Sequence, residues 1–349
     1  MTFLTIVFAI LFFSVIIFVH EFGHFISARI FGVTVHEFAI GMGPKLWSRD
    51  GKSGTKYSVR AIPIGGFCQM EGEDGDSEEE GSFSKKSSFA RFVILASGAF
   101  MNIVLGFIIS LLVISFSAKG GLPTTTVLKV VPDAPASSYI EEGDIITEIN
   151  GHSVNIQQEI SVALSFSEND TFDITVKRDG KKKSFENIPL YDYEAQGNTY
   201  KIIGIQNAIK PPTLFGVLRE SFFQTVYMGK IVFLSLDMLL SGEAKLSDLS
   251  GPVGVIDQME NAVTSSGGGL LGLLNLLFLA GFISVNIGIM NLLPFPALDG
   301  GRIFFILIEL IIRRRVPPEK EGIVHFIGLI LLLGLMIFAT WNDILRIIG

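Results

Sequence analysis

His20-Glu21-Phe22-Gly23-His24 sets two imidazoles four residues apart, with a carboxylate after the first. On a helix, positions i and i+4 lie one turn apart on one face, so both rings can share one ion. Zinc suits such a donor pair, and the adjoining glutamate can take a proton from a water that the metal polarises. A five-residue pattern of this kind also arises by chance in soluble helices. Here the flanking chain argues against chance. Residues 3–19 carry no charge, so the motif sits on an apolar segment long enough to cross a bilayer. Ionisable groups inside such a segment are costly and mark function.

A catalytic zinc keeps three protein ligands and one open position for water. A third donor must therefore reach the same depth. The stretch Asn291-Leu292-Leu293-Pro294-Phe295-Pro296-Ala297-Leu298-Asp299-Gly300-Gly301 follows another apolar run. Its prolines must break a helix, and its glycines permit tight turns. Asp299 arrives there either as the cap of the next helix or as a metal ligand. Coincidence of depth and the Pro/Gly break favour the ligand.

The elements that must position these residues are read from hydropathy and charge. The chain has 349 residues, 49% of them hydrophobic and 17% charged, with 30 phenylalanines against 6 tyrosines and 2 tryptophans. That composition describes a membrane protein with room for one soluble domain. A net charge of −7 gives no support for nucleic-acid binding, and the single cysteine, Cys68, excludes an internal disulfide and a cysteine-based zinc site. The N-terminus lacks the basic region and small-residue cleavage site of a secretory signal.

Four spans are expected, at about 3–26, 89–117, 270–292 and 323–345. Arg29 and a series of later basic residues place residues 29–90 on the cytoplasmic side. Both termini and the 119–210 insert then lie outside. The N-terminal membrane part is 1–118 and the C-terminal membrane part 251–349. Residues 33–70 alternate and are punctuated by glycine and proline, including Gly65 and Gly66, and predict short antiparallel strands. At membrane depth they could pair with an extended substrate; outside it they would be a structural hairpin. His36 could be a ligand, but reads better as an exposed or hydrogen-bonded strand histidine. Residues 71–80 read as a solvated acidic loop. On the second span, Gly98 and Asn102 share a face, and Asn102 is placed either to hold substrate or to join helices.

Asn150-Gly151 predicts a tight turn, Gln157–Phe166 a helix, and Phe172–Lys177 with Ser184–Pro189 a hairpin, which together make a small β domain. Residues 214–240, within the 211–250 segment, pose a topology question. Arg219, Glu220, Lys230 and Asp237 argue for an amphipathic helix lying in the interface. Parity agrees, because a further crossing would carry Asp299 away from His20 and His24. His325 reads as structural.

The combination of the His20–His24 motif, Gly98 with Asn102, the Asn291–Gly301 segment, Ile62-Pro63-Ile64-Gly65-Gly66-Phe67 and Ser250-Gly251-Pro252-Val253-Gly254 resembles the site-2 protease family, in its bacterial regulator-of-sigma-E protease branch. The resemblance covers essentially the whole chain. Val131–Ala136 followed by Glu142–Gly151 is similar to a PDZ domain, although no Gly-Leu-Gly-Phe-like carboxylate loop is evident. The branch often carries two such domains, whereas this chain has room for one.

The resemblance implies an intramembrane zinc metalloprotease of the bacterial cytoplasmic membrane, with one Zn2+ per chain. It implies His20, His24 and Asp299 as ligands and Glu21 as the catalytic base. Asn102, Asn291, Gly65 and Gly66 are assigned to substrate binding. Implied partners are the bilayer, transmembrane substrates of the anti-sigma-factor type already cut once, remnant signal peptides, and an extended tail at the PDZ-like domain. The expected fold is thus four transmembrane helices, a membrane-associated β-hairpin element and one extracytoplasmic PDZ-like domain. A zinc or proton-coupled transporter is disfavoured because spans two and four are poor in polar residues. A non-catalytic PDZ anchor would leave Glu21 without a task.

Overall fold

The computed structural model describes residues 3–348 except 74, 76, 168, 169, 196, 197, 246 and 248. The described chain divides into two compact units, residues 111–227 and the remainder. Two of the expected acidic-loop residues, Asp74 and Asp76, lie outside the described residues.

The membrane unit starts with α1 (Phe3–Ile30), which is apolar around most of its circumference until His20. β1 (Val35–Asp50) and β2 (Lys56–Met70) follow, antiparallel to one another. The expectation of short strands is corrected here. Each strand bends on itself, at Gly41 and Gly43 (φ +83° each) in β1 and at Gly65 (φ +95°) in β2, where a side chain would be strained. The bends create three seams. Val35↔Met70 to Ile40↔Gly66 runs antiparallel, as does Lys45↔Arg60 to Asp50↔Lys56, while Glu37↔Lys56 to Ile40↔Val59 advances in the same direction on both strands. A four-stranded element results from two chain segments. Glu37 staples it, since its buried carboxylate accepts from Ser58 Oγ (2.6 Å) and Arg60 Nη2 (2.9 Å) and meets Lys45 Nζ at 3.0 Å. The Ser14 hydroxyl of α1 donates to the Pro63 carbonyl, which sets the bend of β2 against the apolar helix.

The acidic stretch is also corrected in part. Glu71 is docked on His36 Nε2 (2.5 Å) and Glu73 on Arg302 Nη1 (2.6 Å), while Glu78, Glu79 and Glu80 are exposed as expected of a solvated loop. His36 and Arg302 are distant enough in sequence that no local pattern announces either pairing.

α2 (Ser88–Ser117) packs against α1 through small residues. A Cβ placed on Gly23 would stand 2.4 Å from the Ser97 carbonyl, and the Ser27 and Ser97 hydroxyls meet at 2.7 Å. Contacts of His20 with Asn102 and of His24 with Ile94 show that α1 and α2 are antiparallel.

The second unit holds β3 (Leu122–Val130), β4 (Ile145–Ile149), β5 (His152–Ser153), α3 (Gln157–Leu164), β6 (Thr171–Arg178), β7 (Lys181–Pro189), β8 (Tyr191–Ala195), β9 (Asn198–Ile202) and β10 (Ile205–Lys210). The main sheet is ordered β10-β3-β4-β6-β7, with β5 on β4; β8 and β9 form a separate ribbon. The expected turn is present: Asn150 (φ +48°) and Gly151 (φ +76°) join β4 to β5, and the Asn150 amide ties α3 to β6. Ile146, Ile149, Phe172, Ile174, Val176 and Ile188 fill the core. Asp144 is fully buried and gripped by Arg178 through Nε (2.8 Å) and Nη2 (2.7 Å). Burial opposes its charge, but the Arg178 guanidinium and the Glu141 backbone N–H outweigh it and hold the carboxyl below the usual carboxylate range.

The chain continues through α4 (Leu214–Ser241), α5 (Pro252–Thr264), α6 (Gly269–Leu292), α7 (Asp299–Ile312) and α8 (Pro318–Ile348). Within the membrane unit, the second half of α4 packs on α6 through Met228, Val232, Val285 and Ile289. Antiparallel α2 and α6 touch at Gly106 against Val285 and at Gly288 against Asn102, so α6 runs in the direction of α1. Asp343 of α8, buried completely, accepts from Gly254 N at 2.7 Å and so caps α5, which accounts for the glycines around Pro252. Among the described residues five helices, not four, are long and apolar enough to cross a membrane, the fifth being Leu214–Ser241.

Candidate metal centre

Helix directions decide what meets the His20 pair. Since α1 and α6 run the same way, the end of α6 lies level with the end of α1, and the chain after it delivers Asp299. Leu298 precedes the helix in extended conformation, and Asp299 opens α7. The two following glycines are needed for approach. A Cβ on Gly300 would stand 2.0 Å from the Leu293 carbonyl, and one on Gly301 2.6 Å from the Phe295 carbonyl. The proline-broken segment thus lies directly on the first turn of α7. His325 supports it from behind: its Nδ1 accepts from Ala297 N at 2.9 Å, where Ala297 adopts φ +78°.

The donor atoms form a nearly equilateral triangle. His20 Nε2 and His24 Nε2 are 3.2 Å apart, and Asp299 Oδ2 lies 3.1 Å and 3.3 Å from them. Bonds of about 2.0–2.1 Å arranged tetrahedrally around zinc put ligand atoms about 3.3 Å apart, so the triangle has the size of a zinc face. Asp299 Oδ2 is buried and lacks a hydrogen-bond partner. His24 Nδ1 faces the Ile94 carbonyl at 2.8 Å, so Nδ1 carries the proton and Nε2 presents its lone pair. His20 Nδ1 faces the Asn102 amide at 3.4 Å, while Asn102 Oδ1 is buried and unpartnered. Turning that amide over gives Oδ1 the His20 Nδ1–H and leaves His20 Nε2 as the donor. Gly98 completes the cradle. A Cβ there would lie 2.4 Å from His24 Nε2 and 2.8 Å from His20 Cε1. The donor set, its orientation and its size all fit zinc.

A cavity of about 420 Å³ opens on this triangle, lined by Glu21, by Phe67, Cys68, Gln69 and Met70 of β2, and by Glu73 and Arg302. The backbone of Cys68 hydrogen-bonds the Glu21 carboxylate. Of the expected substrate residues, Asn102 is completely buried with its amide against His20, which leaves it no surface for a substrate. Gly66 pairs with Ile40, and a Cβ there would lie 3.5 Å from Glu21 Cγ, so its smallness lets β2 approach the base. Gly65 supplies the bend. Neither glycine nor Asn291 is among the cavity walls. Asn291, half-buried, sits at the end of α6. Glu73 and Arg302, which do line the cavity, were missed. Arg302 stands one turn beyond Asp299 and could have been found by helical spacing; nothing local marks Glu73.

The fold and this centre define a membrane-embedded zinc metalloprotease. Residues 8–335 match the model of peptidase family M50, and the chain belongs to that family, the site-2 proteases. It is 39% identical over 346 residues to a candidate zinc metalloprotease of Clostridium acetobutylicum, covering 99% of this chain and 98% of that one. It is 30% identical over 430 aligned positions to the regulator of sigma-W protease RasP of Bacillus subtilis, covering 98% and 99%. A solved PDZ domain of an SdrC-like protein from Listeria innocua is 33% identical, covering 24% of this chain and 92% of that domain, with a TM-score of 0.21.

Proposed function

We propose that His20, His24 and Asp299 hold the zinc, that Glu21 is the general base, and that the substrates are single transmembrane segments. The triangle of 3.1, 3.2 and 3.3 Å between the three donor atoms carries this reading. When bound, zinc lowers the pKa of its water toward neutrality and polarises the scissile carbonyl. Glu21 takes one proton from the attacking water. The water oxygen bonds to the carbonyl carbon, the C–N bond breaks, and Glu21 returns the proton to the leaving nitrogen.

A helical substrate hides its carbonyls in internal hydrogen bonds and must unwind first. Phe67–Met70, beside the base, offer β2 as a pairing edge for the unwound chain, with Gly65 and Gly66 shaping its approach. Asn291, at the helix break, holds freed backbone groups. Asn102 orients His20 rather than binding substrate. An apolar cavity of about 820 Å³ between α1, α4, α6 and α8 gives an apolar segment room. α6 carries its wall residue Met290 and, nine residues on, the chain reaches Asp299.

Charge bias puts the centre near the cytoplasmic side of a bacterial cytoplasmic membrane, with the PDZ-like domain and both termini outside. The same topology keeps α4 from crossing, so that four helices span. Anti-sigma-factor-type proteins after a first cut, and remnant signal peptides, are the proposed substrates, in keeping with the name of the Bacillus subtilis relative. β10 and β7 end the main sheet, and an extended substrate tail adding to a terminal strand is the proposed PDZ-like interaction.

The test is Glu21→Gln in detergent with a single-span substrate. Zinc content stays at one per chain and cleavage stops. Wild-type cleavage in that variant overturns the assignment of the base.

A further inference from the structure

The catalytic cavity has a neighbour that the reaction as described does not use. A second cavity of about 290 Å³ is lined by charged groups, among them Arg91, Glu309, Arg315 and Glu321. Arg91 and Glu309 pair at 2.5 Å with both side chains about nine-tenths buried, and Glu309 also accepts from Val316 N at 3.1 Å, which holds open the turn that follows α7. Two residues line both cavities, Glu73 and Arg302, and they are bonded to each other at 2.6 Å. One ion pair therefore stands at the boundary between the zinc centre and a chamber whose walls mix charged side chains with apolar ones such as Leu95 and Phe305.

Hydrolysis inside an apolar surround sets a transport requirement. Each turnover consumes one water and leaves a carboxylate on one fragment and an ammonium on the other. Neither charged end can leave through lipid without a cost of several kcal/mol. A route walled by arginine and glutamate side chains satisfies either end in turn. Both members of the boundary pair are partly exposed, at 28% and 22% of their side-chain surface. The pair has cavity space on both sides, so Arg302 has room to swing away from Glu73.

We infer that the second cavity is the passage for water and for the new charged peptide ends, and that Glu73–Arg302 is the partition between it and the zinc centre. This inference rests on the catalytic reading of the His20–Asp299 centre. It assigns a task to the acidic loop, which brings Glu73 across to α7.

Cys68, the single cysteine, is buried beside the catalytic cavity, so labelling of its thiol needs the cavity to open and reports that opening without any turnover. The experiment measures the rate at which a small uncharged thiosulfonate labels Cys68 in the full-length, zinc-saturated protein in detergent. Arg302→Gln removes the pair but leaves the Glu73 carboxylate. That change alone disfavours the reactive thiolate, so faster labelling reports access rather than thiol acidity. The expected rise is roughly fivefold, the shift in open population from losing a partly exposed ion pair. The charge swap Glu73→Arg with Arg302→Glu restores the pair and returns the rate to within about twofold of wild type. An unchanged rate in Arg302→Gln, or a swap that labels as fast as the single variant, overturns the partition. Failure of the catalytic reading shows separately, as cleavage surviving Glu21→Gln.

Discussion

Gly98→Ala puts the metal centre under the smallest perturbation that geometry allows. The added methyl carbon would stand 2.4 Å from His24 Nε2 and 2.8 Å from both His20 Cε1 and His24 Cε1, whereas ordinary contact begins at 3.4 Å. The His24 ring must therefore retreat by about 1 Å, or α2 must move off α1. The second course breaks the Ser27–Ser97 hydrogen bond and opens the close packing of Gly23 on Ser97. Zinc–ligand distances tolerate only about ±0.2 Å. Loss of a residue that merely orients a ligand weakens metal binding 10–100-fold, so displacing two ligands should weaken it by at least about 100-fold. The assay is zinc stoichiometry after gel filtration, together with competition against a chelator of known affinity. Gly334→Ala is the control, since nothing lies near a Cβ at that position of α8. Gly98→Ala protein that keeps one zinc and competes as wild type does would refute the cradle.

Two further outcomes follow from the same structure. Asn102→Ala deprives His20 Nδ1 of its partner and should weaken zinc binding about 10–100-fold, read by the same chelator titration; a change confined to substrate affinity, with zinc unaffected, would instead return Asn102 to the substrate. In the β domain, Asp144 has a folded-state pKa below its unfolded value. Its contribution is present above the unfolded pKa near 3.8 and is lost as pH falls through the lower folded value. Hydrogen exchange of β4 and β6 amides in the full chain should show Asp144→Asn less protected than wild type near neutral pH, with the gap closing as pH drops below about 4. A gap independent of pH would remove the Asp144–Arg178 pair as its cause.

The chemistry was readable from short-range pattern because it depends on short-range geometry. Two histidines at i and i+4 share a helix face whatever surrounds them, and an uncharged run of residues can only be buried or in lipid. The Asn150-Gly151 turn and the β6–β7 hairpin were equally local. Asp299 lies 275 residues beyond His24; a count of four spans predicts that they share a depth, and the fold brings their donor atoms to 3.3 Å. What the sequence by itself determined was thus the apolar helices, the small β domain and the residues from which the proposed donor set and base are drawn.

Tertiary structure decided the rest. The strands of 33–70 bend and pair along three seams, because glycine bends matter only once a partner strand is present to be met. The start of the acidic run is docked rather than free, since His36 and Arg302 reach Glu71 and Glu73 from other elements, while 78–80 stay exposed. Asn102 faces His20 instead of a substrate. Helical spacing puts Asn102 on the same side as Gly98 but does not say which neighbour fills that side. Glu73 and Arg302 are 229 residues apart. No periodicity links them, and only the packing of α7 against the acidic loop makes them one pair on the wall of the zinc cavity.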